Sequence, residues 1–158
     1  MTQPIVTRGD QALAFTTTPT DEMRFLCPGD AHMPDVFDER LSPGDGPPLH
    51  RHPWATWEVV VEGRIRARVG DETHDLSSGD LLFTPPDVPH TFMAIGDSPA
   101  RVVGINWPGG FHHLYAELAE EFSNAGPPDF GAMAAAAARH GAEILGPPLA
   151  ILEAQGNK

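Results

Sequence analysis

Cysteine is all but missing. Cys27 is the only one, so no disulfide can form within the chain and a disulfide-stapled secreted fold is excluded. Basic residues are scarce as well. Ten Lys and Arg against 22 Asp and Glu leave a formal charge of −12, which argues against nucleic acid or an anionic membrane surface as a partner. No apolar run approaches the length of a membrane span, and the first residues lack the basic-then-apolar pattern of a secretory leader. A cytoplasmic protein is expected.

What is present in quantity is turn-forming residues. The 158 residues hold 17 Pro and 16 Gly, in a chain that is 41% apolar; that length suits one domain with a real core. The prolines and glycines are not periodic but fall between short apolar runs, which predicts an all-β body. Candidate strands cover 23–27 and 35–41, and the cluster Ser42-Pro43-Gly44-Asp45-Gly46-Pro47-Pro48 separates them from the strands further along the chain. Beyond Gly63, Ile65, Ala67 and Val69 alternate with Arg64, Arg66 and Arg68, a half-buried strand with one solvated face. Further strands are expected over 73–76, 81–83, 90–95 and 101–107. The tail changes character. Phe111, Leu114, Leu118 and Phe122 recur at helical spacing, Gly126-Pro127-Pro128 breaks that helix, and Asp129 caps a second one that Gly141 stops. Residues 16–20 read as loop, and the first 32 residues acquire no role.

The chemistry gathers in two stretches. In Leu49-His50-Arg51-His52, two histidines two residues apart lead into the strand Ala55-Thr56-Trp57-Glu58-Val59-Val60-Val61. Residues i and i+2 of a strand share a face, so both imidazoles can aim at one point. Downstream, Gly79-Asp80-Leu81-Leu82-Phe83-Thr84-Pro85-Pro86 ends in Val88-Pro89-His90, a turn, a strand and a Pro-rich corner that deliver a third histidine. By the same alternation Thr56 and Glu58 face inward with the histidines, Phe92 shares the face of His90, and Trp57 faces out.

The residues from about 44 to 105 resemble a single-domain cupin. Gly44, His50, His52 and Gly63 match the first cupin motif, G-x5-H-x-H-x3,4-E-x6-G, and Gly79, Pro85 and His90 match the second, G-x5-P-x-G-x2-H-x3-N. Gly46-Pro47-Pro48-Leu49-His50, Val88-Pro89-His90 and Ile144-Leu145-Gly146-Pro147-Pro148-Leu149 further resemble the quercetin-dioxygenase-like branch. The fold this implies is a double-stranded β-helix, a jelly-roll barrel with one or two C-terminal helices, paired as a homodimer. The parts expected are a strand and loop segment over 1–35, the barrel core over 36–107 and a helical tail over 108–158. Three positions depart from the motifs: Thr56 stands where the family has its glutamate, Asp87 replaces a glycine, and Ala94 replaces the asparagine.

The lost glutamate matters because, in the family, it supplies a fourth metal ligand. Glu58 is the substitute on offer, as ligand or as base. It lies two residues past Thr56 and therefore starts about 6 to 7 Å deeper in the barrel. The plainer reading makes it a polar residue that hydrogen-bonds Thr56 or a water. Three neutral imidazoles suit one divalent transition ion, Fe, Mn, Ni, Cu, Co or Zn, with open positions for water, dioxygen or substrate oxygens. Thr56, Phe92, His112 and His113 are the candidate pocket residues; the two adjacent histidines reach substrate only if the first tail helix covers the barrel mouth, and are otherwise surface residues. His32, His74 and His140 read as structural.

The resemblance implies a metal-dependent enzyme acting on a small enolizable or aromatic molecule, with dioxygenase chemistry foremost. A redox-neutral cyclase, isomerase or hydrolase is the alternative, and a cupin that only binds a small molecule is the third.

Overall fold

The computed structural model describes residues 5–16, 21–122 and 129–156. Strands dominate from the start because the apolar positions repeat every second residue. In β3 (Asp35–Leu41) residues 35, 37, 39 and 41 are buried, and in β5 (Ala55–Glu62) Thr56, Glu58 and Val60 are. In β6 (Arg64–Val69) Ile65 and Ala67 are wholly buried, while Arg66 on the other face pairs with Asp75 and Glu153. The three arginines thus lie on the solvated face, as the alternation predicts.

The eleven described strands fall into two antiparallel sheets. After a short 3-10 turn (Gly9–Gln11) come β1 (Leu13–Thr16), β2 (Glu22–Cys27), β3 and β4 (Pro48–Arg51). Past β5 and β6 lie β7 (Glu72–Ser77), β8 (Leu81–Thr84), β9 (His90–Ala94) and β10 (Ala100–Trp107). Then come α1 (Phe111–Phe122), α2 (Phe130–Arg139), β11 (Glu143–Pro148) and α3 (Leu149–Gly156). One sheet runs β1-β2-β3-β10-β5-β8 and the other β11-β4-β9-β6-β7. Strands adjacent in space are mostly distant in sequence, as a jelly roll demands.

The sandwich is closed at one end by Leu41, Val60, Ile65, Ala67, Phe92, Ala94, Ala100 and Val102. Towards the other end the inward residues turn polar and a cavity opens. Two further apolar clusters shape that mouth. Met23, Phe25 and Phe37 pack with Phe111 and Tyr115 of α1, while Trp54 packs with Leu114, Ala136, Ala137 and Ala142. Helix α1 is thereby laid against the barrel.

What anchors it is Asp35, 0% exposed. Its Oδ1 accepts from the Gly29 amide (2.6 Å) and from His112 Nδ1 (3.0 Å). Its Oδ2 accepts from the amides of Gly110 (2.7 Å) and Phe111 (2.6 Å), the orphan donors that open a helix. Asp129 caps α2 in the expected way, accepting from the amides of Gly131 and Ala132.

The described tail holds three helices rather than one or two, and it also returns a strand: β11 pairs with β4, with Ile144 opposite His50. The N-terminal segment is likewise built in, β1 and β2 extending the six-stranded sheet beside β3. Residues 17–20, the break at Gly126-Pro127-Pro128 and the side chain of Phe122 lie outside the described residues. No described helix is long and apolar enough to cross a membrane.

Candidate metal centre

Two neighbouring strands carry the three histidines. β4 pairs with β9 with His50 directly opposite His90, and His52 sits on the same side just past the end of β4. Ring centroids lie 4.2 Å apart for His50 and His90, 4.6 Å for His52 and His90, and 5.5 Å for His50 and His52. One ligating nitrogen from each ring falls within 4.8 Å of the others.

The tautomers fit a metal. Each Nδ1 faces a backbone carbonyl: His50 that of Pro48 at 2.8 Å, His52 that of Trp54 at 3.0 Å, and His90 that of Val88 at 2.9 Å. A carbonyl only accepts, so Nδ1 carries the hydrogen and Nε2 is left as the lone-pair nitrogen of each ring. Fixing the far nitrogen in this way is what a metal-binding histidine requires. Burial, and then the neighbouring His90 ring, push both His50 and His52 down to about 3, and burial lowers His90. The imidazoles are therefore neutral at physiological pH and available as ligands. Trp54 stacks on His52 at 4.2 Å with planes 6° apart, which holds that ring in place.

The cavity in front of the imidazoles is lined by Glu39, Thr56, Glu58, Phe92, Asn106 and Tyr115, with Met23, Phe37, Pro47 and Phe111. Thr56 is not open: its hydroxyl donates to Asn106 Oδ1 at 2.7 Å. Glu58, 4% exposed, lines the cavity but stands outside the three-histidine cluster. Its Oε2 is buried with no hydrogen-bond partner, and burial raises the carboxyl to about 7. Phe92 lies on the wall as parity predicts.

His112 and His113 do not line the cavity, and His113 is the surface residue that the plainer reading makes it. His112 is tied to Asp35, His113 is exposed, and neither is among the lining residues; α1 presents Phe111 and Tyr115 instead. Sequence reading also passed over Glu39, 6% exposed, which burial and then the charges of Glu58 and Asp21 raise to about 8. The signal for it was there: Phe37 and Leu41 point in, so Glu39 between them must as well.

Known proteins agree with this architecture. A family model described as the cupin domain matches residues 37–106. Over 64 residues the chain is 38% identical to the polyketide synthase CurC of Streptomyces cyaneus, a match covering 40% of this chain and 42% of that protein. The chain spans about half the length of the curated relatives it matches. Among solved structures, an RmlC-like cupin from Shewanella frigidimarina superposes with a TM-score of 0.61 at 20% identity, over 70% of this chain and 96% of that one. The polyketide cyclase RemF of Streptomyces resistomycificus gives 0.54 at 21% identity, over 67% of this chain and 79% of that one. At such identities the structural likeness is one of fold. The likeness is to cupins as a class and does not single out the quercetin-dioxygenase-like branch. Motifs, barrel and family match coincide on the same stretch: residues 37–106 are a cupin domain.

Proposed function

We propose that the protein is a mononuclear metal enzyme that moves protons on a small organic substrate with an enolizable carbonyl, without net oxidation. The observation that carries this is the set of three neutral imidazoles, each locked through Nδ1 to a carbonyl and facing a cavity that also holds buried carboxyl groups. His50, His52 and His90 would hold one divalent transition ion. When bound, such an ion polarises a substrate oxygen as a Lewis acid. Glu58 is the acid–base group of this reading: its Oε2 is free of protein partners and its pKa of about 7 suits proton transfer at neutral pH. Phe92, Phe37 and Phe111 supply apolar walls to the cavity.

The sequence alone puts dioxygenase chemistry first. The buried carboxyls, together with a relative whose name places it in polyketide synthesis, favour proton transfer instead. Dioxygenase chemistry at the same three histidines is the second reading, favoured by the absence of any described carboxylate from the ligand cluster, which leaves one face of the ion open. We also propose that the chain pairs with a second copy. The outer face of the six-stranded sheet exposes Phe83, Ile105 and Trp107, 45%, 40% and 46% exposed, an apolar patch of the kind that marks an interface.

Metal content and deuterium exchange test the reading together. Protein purified without a His-tag or added metal should carry near-stoichiometric metal by elemental mass spectrometry, and His50→Ala or His90→Ala should lose most of it. In D2O without air, the metal-loaded protein should then speed incorporation of deuterium into hydroxyacetone. Full metal in both variants overturns the site. Turnover of enolic substrates only in air, with oxygen uptake and no anaerobic exchange, replaces proton transfer with the dioxygenase.

A further inference from the structure

The imidazoles account for one end of the cavity; the end opposite them carries two carboxyl groups. Strand register sets out the floor. Across β3, β10 and β5, Phe37, Gly104 and Glu58 form one row, and Glu39, Val102 and Val60 form the next row deeper. Gly104 has no side chain because Phe37 occupies its place: a Cβ there would lie 2.0 Å from the ring. The Phe37 ring thus lies over Gly104, and Glu58 and Glu39 are the polar groups of the floor. Tyr115 of α1 lines the same space.

Among the described residues this pair meets no counterion. Neither Glu39 nor Glu58 forms an ion pair with a described arginine or histidine; the paired arginines meet other acids near the surface, and His112 meets Asp35. Glu58 Oε2 is the stronger sign. A buried carboxyl oxygen with no donor costs free energy, and this one belongs to a side chain that lines the cavity. A molecule that fills that cavity is placed to supply the missing donor.

We propose that Glu58 and Glu39 form a subsite that reads a hydroxyl group on the substrate, so that the substrate is a small hydroxy acid or hydroxy ketone whose oxygen at one end meets the three histidines and whose hydroxyl at the other donates to Glu58 Oε2. This rests on the metal reading above for the first end only. The chemistry of the floor rules out the other endings. An apolar end leaves the carboxyl oxygen orphaned, and a carboxylate is repelled by the glutamates once they ionise. An ammonium would sit in one small cavity with a dication on three neutral ligands, and is repelled from that side. A neutral donor satisfies both ends.

The test uses two acids that differ by a hydroxyl in place of a methyl, 3-hydroxypropanoate and butanoate, titrated by calorimetry into zinc-loaded protein. At pH 8.5, where Glu58 is ionised, wild type should bind the hydroxy acid about 10-fold more tightly, the worth of a hydrogen bond to a charged group. Glu58→Met removes both oxygens and should abolish the preference while one zinc per chain remains bound. Glu58→Gln keeps the shape and should weaken the preference about 3-fold, so a failure of the Met variant to fold leaves a usable arm. Equal binding of the two acids by zinc-loaded wild type overturns the subsite and leaves the metal reading standing. Loss of zinc from both Glu58 variants also overturns it, since Glu58 is then a ligand. If wild type takes up no zinc, the metal reading falls; the same pair of acids on the metal-free protein then decides the subsite, and equal or absent affinity overturns it.

Discussion

Replacing Glu58 by Gln should stabilise the metal-free protein, and by an amount that depends on pH. Glu58 is 4% exposed, its Oε2 has no partner, and burial lifts its pKa from the ordinary 4.5 to about 7. Below pH 4.5 the carboxyl is protonated in the folded and unfolded chains alike, and it adds no pH dependence. Between pH 4.5 and 7 the unfolded chain has released the proton while the folded chain keeps it, so stability falls as pH rises. At about 1.4 kcal/mol for each pH unit, the loss reaches about 3 kcal/mol by pH 7 and then levels off. Gln cannot ionise and does not suffer it.

The wild-type profile alone would hide this. His50, His52 and His90 are held neutral in the fold, so they act in the opposite sense and lower stability as pH drops below the ordinary 6.5. The difference between variant and wild type removes their contribution. It also gains a little from Glu39, whose pKa Glu58 helps to raise. Denaturant unfolding of both proteins, stripped of metal, from pH 4 to 8.5 should show a difference that is flat below pH 4.5 and grows by about 3 kcal/mol up to pH 7 or 8. In thermal unfolding the variant's Tm lead should widen by roughly 6 to 12 °C over the same range. A difference independent of pH, or a variant less stable than wild type at pH 8, refutes the claim that the carboxyl is desolvated and unpartnered.

Two other substitutions probe the frame around the cavity. Gly104→Ala places a methyl 2.0 Å from the Phe37 ring; the ring must swing into the cavity, with a loss of roughly 1 to 3 kcal/mol and weakened binding of any ligand there, and Phe37→Leu in the same chain should restore both, as calorimetry and denaturant unfolding would show. Asp35→Asn leaves one oxygen to serve four donors and sets an amide NH2 against the opening amides of α1. It should cost roughly 3 kcal/mol and speed hydrogen exchange of residues 110–115, whereas unchanged exchange there would show that α1 is held by its apolar face alone.

Much of the barrel is legible in the sequence because its strands alternate and its turns are marked. Ile65, Ala67 and Val69 against three arginines, or Asp80 entering a strand after Gly79, permit little else. The histidines are legible for a related reason: strand parity is a short-range rule, and the His50–His90 pairing comes from a second strand with the same parity. What could not be read depends on distant partners. β11 runs through Gly146-Pro147-Pro148, which carries no strand alternation, and it pairs with β4 only with a register shift between Ile144 and Pro148. β1 is four largely exposed residues with no alternation, ordered by its neighbour β2. The facing of His112 is set by Asp35, 77 residues upstream, so helical spacing alone could not say that it bonds this carboxylate rather than serving the cavity. Asp87 is a milder case. It holds φ at +63°, a conformation that a glycine at that motif position adopts freely and that Asp tolerates; the departure from the motif keeps the backbone shape.

The departure at Thr56 is of another kind, since it moves a charge. Where the family has its glutamate, Thr56 and Asn106 form a closed neutral pair at 2.7 Å, and no described carboxylate stands in the cluster with the three imidazoles. The carboxyl groups of the cavity lie instead at Glu58, one inward position further along the same strand, and at Glu39 on β3. A dication held by His50, His52 and His90 would keep its full charge at one end of the space, while the groups that carry compensating negative charge once ionised, Glu58 and Glu39, sit at the other, with Phe37 and Phe92 on the walls between. In a small cavity with few other dipoles, that separation places a field along the length of whatever is bound. A ligand oxygen at the histidines is then drawn toward anionic character while a proton near Glu58 is drawn away. A glutamate at position 56 would have collapsed this field into a contact ion pair beside the metal. The same two facts that look like losses, a missing ligand and an unpartnered buried carboxyl, are in this arrangement the two poles of one site.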